Sequence, residues 1–262
     1  MQMSLYHNAM STCSQKVRLA LAEKYLTWTS IEIDLLTRQH KTESYLAINP
    51  EGVVPTLKVD DRVLVESSLI NYFIDEACDG PSLMPVSALE RYAARQWIRR
   101  VDDGVHTACG ILTYATALRV IMLQMERGDV LADIATTKDP HARAVRLSLY
   151  EHGVEAPAFQ DALRHLLGFM TVMDDALAKS HWLSGSDFGL ADCAALPYVL
   201  RLDHLKLNKI WTGGRLPNLE AWLAAAQSRP SFETAVTHFL SAPALAMFEA
   251  VGSLVAPKLA LT

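Results

Sequence analysis

Hydroxyls and a thiol gather in the stretch Tyr6-His-Asn-Ala-Met-Ser11-Thr12-Cys13-Ser14-Gln-Lys-Val-Arg18, where a short apolar run meets a polar turn and then helical periodicity. A helix N-terminus carries unpaired N–H groups and the positive end of the helix dipole, so it holds an anion or lowers the pKa of a thiol brought to it. Ser11 at that point would donate a hydrogen bond to a bound substrate thiolate, stabilising the reacting anion rather than attacking as a nucleophile. Ser11, Thr12 and Ser14 also read as plain helix caps, and both readings stand at this stage. Cys13 as a redox nucleophile is the weaker idea, because no second cysteine lies at CxxC spacing to resolve a mixed disulfide.

Two further stretches could hold a ligand. Asn49-Pro50-Glu51-Gly52-Val53-Val54-Pro55-Thr56-Leu57 is a turn followed by a proline at the mouth of a strand, where its missing N–H need not be paired. A cis Val54–Pro55 bond would turn the main chain of Val54 outward to pair with a bound peptide; a trans edge proline is the plainer alternative. Glu66-Ser67-Ser68 precedes an apolar-periodic helix, so a hydroxyl and free N–H groups there suit a carboxylate while Glu66 suits an ammonium, the two ends of an amino-acid head group. A simple N-cap explains the same residues.

The elements that must position these groups follow from periodicity. Residues 2–6 read as a strand, 14–24 as a helix, 28–34 as a second strand and 42–48 as a short helix. Strands at 55–59 and 62–64 flank the Asp60-Asp61 turn, which implies a hairpin, and a helix follows from about 66 to 77. This βαβ unit, hairpin and helix make a mixed sheet with helices packed on it. The segment at 79–87 carries two prolines, a glycine and two serines and marks a boundary; beyond it the chain reads as helical over 87–125, 140–150, 158–179, 189–202, 217–228 and 241–253.

The chain has 262 residues, half of them hydrophobic, and a formal charge of −5, with Lys and Arg scattered. That balance gives no field for a phosphate backbone, so no nucleic-acid partner is expected. The N-terminus lacks a signal-peptide pattern and no run reaches the roughly eighteen apolar residues of a membrane span, so a cytoplasmic protein with no membrane partner is expected. Four scattered cysteines, Cys13, Cys78, Cys109 and Cys193, make neither a disulfide framework nor a zinc site, and no metal is expected.

In this order and in this βαβ–ββα context, the three motifs resemble the glutathione transferase superfamily. The resemblance implies an α/β thioredoxin-like N-terminal domain, residues 1–80, that binds glutathione as co-substrate, plus an all-α C-terminal domain, residues 87–262, that contributes the electrophile pocket. STCSQKVRLAL is similar to the zeta-class serine motif, which gives Ser11 the role of activating the thiol. Gln39-His40 followed by Asn49-Pro50 is similar to the theta class, where the histidine contacts the glycyl carboxylate, and His40 takes that role. Val54 and Pro55 match the residue that pairs with the cysteinyl backbone and its cis-proline; Glu66 and Ser67 match the pair that holds the γ-glutamyl group. Trp182-Leu-Ser-Gly185 and Leu190-Ala-Asp192 resemble the capping box and buried Asp of a helix in the second domain, but the usual Ser or Thr three residues before the Asp is Gly189.

Extra sequence, including 117–130 and 136–157, resembles in layout the insert of bacterial β-etherases, which cleave lignin-type β-aryl ethers with glutathione. In that branch the activating hydroxyl falls a few residues later, at Ser14 here, so Ser11 and Ser14 compete. The resemblance implies a small hydrophobic or aromatic electrophile, held between the domains by the 87–125 helix and the chain's end, with His106, Tyr114 and Met122 as candidate contacts. A zeta-like isomerase and a non-catalytic glutathione-binding subunit are the alternatives. The superfamily's habit of dimerising implies a homodimer or a heterodimer.

Overall fold

The computed structural model describes residues 1–240 and 242–255. In chain order its elements are β1 (Met3–His7), α1 (Thr12–Glu23), β2 (Thr29–Glu32), α2 (Glu43–Leu46), β3 (Thr56–Val59), β4 (Arg62–Leu64), α3 (Ser67–Ala77), α4 (Ala88–Arg100), α5 (His106–Thr113) and α6 (Arg119–Met122). Then come α7 (Arg127–Ala135), α8 (Pro140–His152), α9 (Pro157–Leu177), α10 (Leu190–His204), α11 (Pro217–Gln227), α12 (Pro230–Ala235) and α13 (Ala242–Val255). They form two compact units, one of residues 1–99, 176–197 and 221–240, the other of 100–175, 198–220 and 242–255.

The first unit is built on a four-stranded sheet of order β2-β1-β3-β4. β1 and β2 are parallel, with Ser4 opposite Thr29; β1 and β3 are antiparallel, with Tyr6 opposite Thr56, and β4 completes the hairpin with Val59 opposite Arg62. Along β1, Met3, Leu5 and His7 are buried while Ser4 and Tyr6 are half-buried, the alternation a strand requires. The hairpin turns through Asp60 at φ 50°, a left-handed position that Asp tolerates. α1 is the central helix. α3 and α12 both pack on it, and every residue from Ser14 to Glu23 is buried, Lys16 and Arg18 included.

α4, α5 and α6 run on as one helix, Ala88–Met122, through two π-helical turns at Val101–Val105 and Tyr114–Leu118. By length and composition this helix could cross a membrane, although no run of apolar residues in the sequence suggested it. Its Val101, Val105, Ala108, Leu112, Ala115 and Ala117 are instead buried in the protein. The periodic stretches at 140–150, 158–179, 189–202 and 217–228 all appear as helices, and that at 241–253 appears from Ala242, Ser241 lying outside the described residues. α7 and α12 carried no expectation. α12 is one and a half turns opened by Pro230, too short for periodicity to register.

Candidate functional site

Ser11 is the N-cap of α1: its backbone is extended (φ −68°, ψ 121°) and its Oγ accepts the N–H of Ser14 at 3.2 Å. Capping uses only an acceptor site of the hydroxyl and leaves the O–H proton to donate, so the structural and chemical readings of Ser11 are compatible. Ser14 differs. It is wholly buried, and its Oγ accepts the N–H of Asn8 at 3.3 Å, closing the turn from beneath.

Register and packing gather the other motifs at the same end of the sheet. Tyr6 opposite Thr56 sets the end of β1 beside Pro55, so the turn that leads to Ser11 adjoins the Val54–Pro55 bond, which is cis. The chain before Val54 is tied down, since the carbonyl of Val53 accepts from Tyr45 Oη (2.7 Å) and Asn49 Nδ2 (2.9 Å), both of which also reach Thr56 Oγ1. α3 is held alongside α1 by Lys16 Nζ donating to Ser68 Oγ (2.7 Å) and Asn71 Nδ2 donating to the carbonyl of Lys16 (3.2 Å). That packing carries the start of α3 to the site. Glu66, just before it, adopts φ 68°, ψ 104°, and its side chain makes no capping bond, so a simple N-cap does not explain it. A non-glycine residue held at positive φ marks a position the surroundings over-determine.

His40 reaches this corner through Gly52. The Asn49–Gly52 turn closes with the Gly52 N–H on the carbonyl of Asn49 (2.9 Å), and Gly52 sits at φ 58°. A Cβ there would stand 2.8 Å from the carbonyl oxygen of His40, so only glycine allows the 39–41 segment to lie against the turn. His40 Nδ1 is buried with no hydrogen-bond partner among the described residues. Burial, with Lys41 and Arg38 adding to it, lowers the imidazole pKa. Two cations and an uncommitted imidazole nitrogen make this corner suited to a carboxylate.

The three acceptor-side candidates all lie in the second unit. His106 Nδ1 pairs with Tyr198 Oη at 3.1 Å. The Tyr114 hydroxyl is buried without a hydrogen-bond partner among the described residues; the Arg146 guanidinium lies 5.7 Å from its ring centroid, and burial pushes its pKa up. Met122 packs against the cluster of Val130, Ile134 and Tyr150. The last residues expected to line a pocket, 256–262, lie outside the described residues.

Residues 10–77 match the family described as glutathione S-transferase, N-terminal domain, and residues 156–225 match glutathione S-transferase, C-terminal domain, together more than half of the chain. The chain belongs to the glutathione transferase superfamily. It is 28% identical over 247 residues to the tetrachloro-p-hydroquinone reductive dehalogenase of Sphingobium chlorophenolicum, covering 89% of this chain and 95% of that one. It is 25% identical over 245 residues to glutathione S-transferase TCHQD of Arabidopsis thaliana, covering 91% of each. Among solved structures, the β-etherase LigF of Sphingobium sp. strain SYK-6 superposes with a TM-score of 0.80 at 21% identity, covering 91% of this chain and all of that one, a likeness of fold.

This glutathione transferase therefore has the expected fold, an α/β thioredoxin-like part and a helical part, and its activity depends on glutathione as co-substrate. Its departure at Gly189 has a physical reason. The Leu83 carbonyl accepts the N–H of Leu190 at 2.9 Å, and a Cβ on Gly189 would stand 2.2 Å from that oxygen. The missing cap is supplied from elsewhere, by Ser184 Oγ, which accepts the N–H of Ala191 at 3.1 Å. Asp192, fully buried, accepts from Leu183 N, Ser184 N, Gly189 N and Trp222 Nε1 at 2.8–3.1 Å and locks the Trp182–Gly185 turn to the helix.

Sequence reasoning passed over Arg18, Tyr45 and the pair Lys16–Ser68. The available signal was two cations inside the otherwise apolar periodicity of KVRLAL, which marks a helix enclosed on all sides rather than one with a solvated face.

Proposed function

We propose that this transferase binds glutathione across the corner formed by Ser11, His40, Val54, Pro55, Glu66 and Ser67, and that Ser11 donates a hydrogen bond to the ionised thiol. The observation that carries the reading is the Ser11 hydroxyl, half-buried at the N-cap of α1 with its proton uncommitted by capping, while Ser14 is enclosed and engaged with Asn8. The carboxylate of the glycyl end meets His40, Arg38 and Lys41; Val54 pairs with the cysteinyl main chain; Ser67 and Glu66 hold the γ-glutamyl head group.

The thiolate then attacks a small aromatic electrophile by displacement. A carbon–sulfur bond forms as the bond to the leaving group breaks, and an aryloxide or halide departs with the electron pair. Identity to a reductive dehalogenase along nearly its whole length supports an aromatic acceptor, and the helices of the insertion, α7 and α8, support cleavage of a β-aryl ether as the sharper form. Tyr114, its hydroxyl buried and its pKa raised by that burial, is suited to give a proton to a departing aryloxide, with His106 and Met122 as further acceptor-side contacts.

The experiment is a panel of β-aryl ethers and chloroaromatics with glutathione, following loss of thiol and release of phenol or chloride. Turnover on either class is expected. Calorimetric binding of glutathione without turnover on any member would refute the displacement reading and favour a binding subunit. Turnover only on maleyl-type cis dicarboxylates would favour an isomerase, the reading the STCS turn supports.

A further inference from the structure

Arg18 is a fully buried guanidinium whose hydrogen bonds among the described residues go to neutral acceptors. Nε donates to the carbonyl of Ala235 (2.6 Å), Nη1 to His7 Nδ1 (2.9 Å) and the carbonyl of Asn8 (3.1 Å), and Nη2 to the carbonyl of Ala9 (2.9 Å). The Phe239 ring lies against its face, 4.4 Å from Cζ to the centroid. Burial lowers its pKa to about 9, the Glu32 charge offsetting part of the effect, so it stays charged at neutral pH. Removing a guanidinium from water is costly, and a hydrophobic residue would fill the space more cheaply, so stability alone does not account for it. The planar fork instead does what few side chains can, which is to fix several acceptors in one plane at once.

Two of those acceptors, Asn8 and Ala9, form the turn that leads into Ser11. The Asn8 carbonyl accepts from both Arg18 and the backbone N–H of Ser11 (3.3 Å), so it is the hinge through which the guanidinium reaches the N-cap. His7 completes the arrangement. Its Nδ1 accepts from Arg18, so Nε2 carries the proton and donates to Ser30 Oγ at 2.7 Å, fixing the end of β1 to β2.

We propose that Arg18 is the positioning residue of the thiol-activating turn: through the carbonyls of Asn8 and Ala9 it sets where Ser11 presents its hydroxyl, and through Ala235 and Phe239 it makes that setting depend on the 235–239 segment. The proposal rests on the reading of Ser11 given above. Arg18 touches no reacting atom; it acts through the turn.

The test is the pKa of the thiol of bound glutathione, read from thiolate ultraviolet absorbance across pH, in Arg18→Lys, Ser11→Ala and the double variant. Arg18→Lys keeps the charge but not the fork, and is expected to raise the thiol pKa by about one unit, with a tenfold loss of kcat/KM on the acid side of the profile. In the Ser11→Ala background it should add nothing, because the effect passes through that hydroxyl. A lowered Tm with an unmoved thiol pKa would overturn the proposal, as would a full additional shift in the double variant. If Ser11→Ala itself leaves the thiol pKa unchanged, the reading of Ser11 fails first; if Ser11→Ala shifts it and Arg18→Lys does not, Arg18 alone fails. Should Arg18→Lys not fold, Phe239→Leu removes the ring beneath the guanidinium while sparing its hydrogen bonds. It should shift the thiol pKa in the same direction by a smaller amount, and no shift there refutes the proposal.

Discussion

Replacing Gly189 by Ser sets two physical arguments against each other. Judged by capping preference, serine at the residue before α10 should be neutral or stabilising by a few tenths of a kcal/mol, since glycine is only a passable cap. Judged by the structure, a Cβ at 189 would stand 2.2 Å from the Leu83 carbonyl oxygen and 2.7 Å from Ser184 Oγ. Neither neighbour can yield freely: the Leu83 carbonyl accepts the N–H of Leu190, and Ser184 Oγ accepts the N–H of Ala191. Moving them breaks two buried hydrogen bonds, each worth about 1–2 kcal/mol when the partner is left unsatisfied, so Gly189→Ser should cost roughly 2–4 kcal/mol. For a protein of this size that is a drop in Tm of about 5–12 °C by thermal unfolding, with glutathione affinity unchanged. A variant as stable as the parent would refute the steric argument and show that the new hydroxyl had taken over the cap from Ser184.

The other predictions concern the glutathione corner and its surroundings. Ser11→Ala should lower kcat/KM by about two orders of magnitude, the loss usual for one donor to a reacting anion, whereas Ser14→Ala should mainly reduce stability; steady-state kinetics beside thermal unfolding separates the two. His40→Ala should raise KM for glutathione about tenfold with little change in kcat, while Arg38 and Lys41 keep glutathione preferred over its glycyl amide, measured by paired kinetics. Burial lowers the pKa of both His7 and His204 from 6.5 to about 4, so each stays neutral when folded and takes a proton when unfolded. The unfolded state binds more protons between those values, and stability is lost as pH falls through that window, by about 2–3 kcal/mol for each histidine in denaturant titrations at pH 7 and pH 4.

Much of this was legible in the sequence because local rules were strong. β4 and the last residue of α3 fall where turn chemistry and periodicity put them, and the order of the motifs was enough to imply the family. What was not legible depended on residues far apart in the chain. Arg18 was given no role from the sequence, because Ala235 and Phe239, which close around it, lie more than two hundred residues on. Gly189 looked like a lost cap because Leu83 and Ser184, which explain it, lie outside the motif. Ser11 and Ser14 could not be told apart by spacing, since what separates them is burial, and the orphaned Nδ1 of His40 shows only once the Gly52 turn is folded against it.

The segment running from Arg229 through Phe239 packs on α1 between Glu23 and Arg18. At one end Arg229 grips Glu23 with both Nε and Nη2 at 2.7 Å, and Ser231 donates to the same carboxylate; at the other, Ala235 and Phe239 enclose Arg18. A fragment ending at residue 80 would contain every residue of the proposed glutathione corner, yet it would take Arg229 and Ser231 from Glu23, and Ala235 and Phe239 from Arg18. The thiol-binding part of this chain is thus not a detachable module. Its integrity depends on residues more than two hundred positions further along the chain, so a truncation that spares every ligand contact would still be expected to abolish binding.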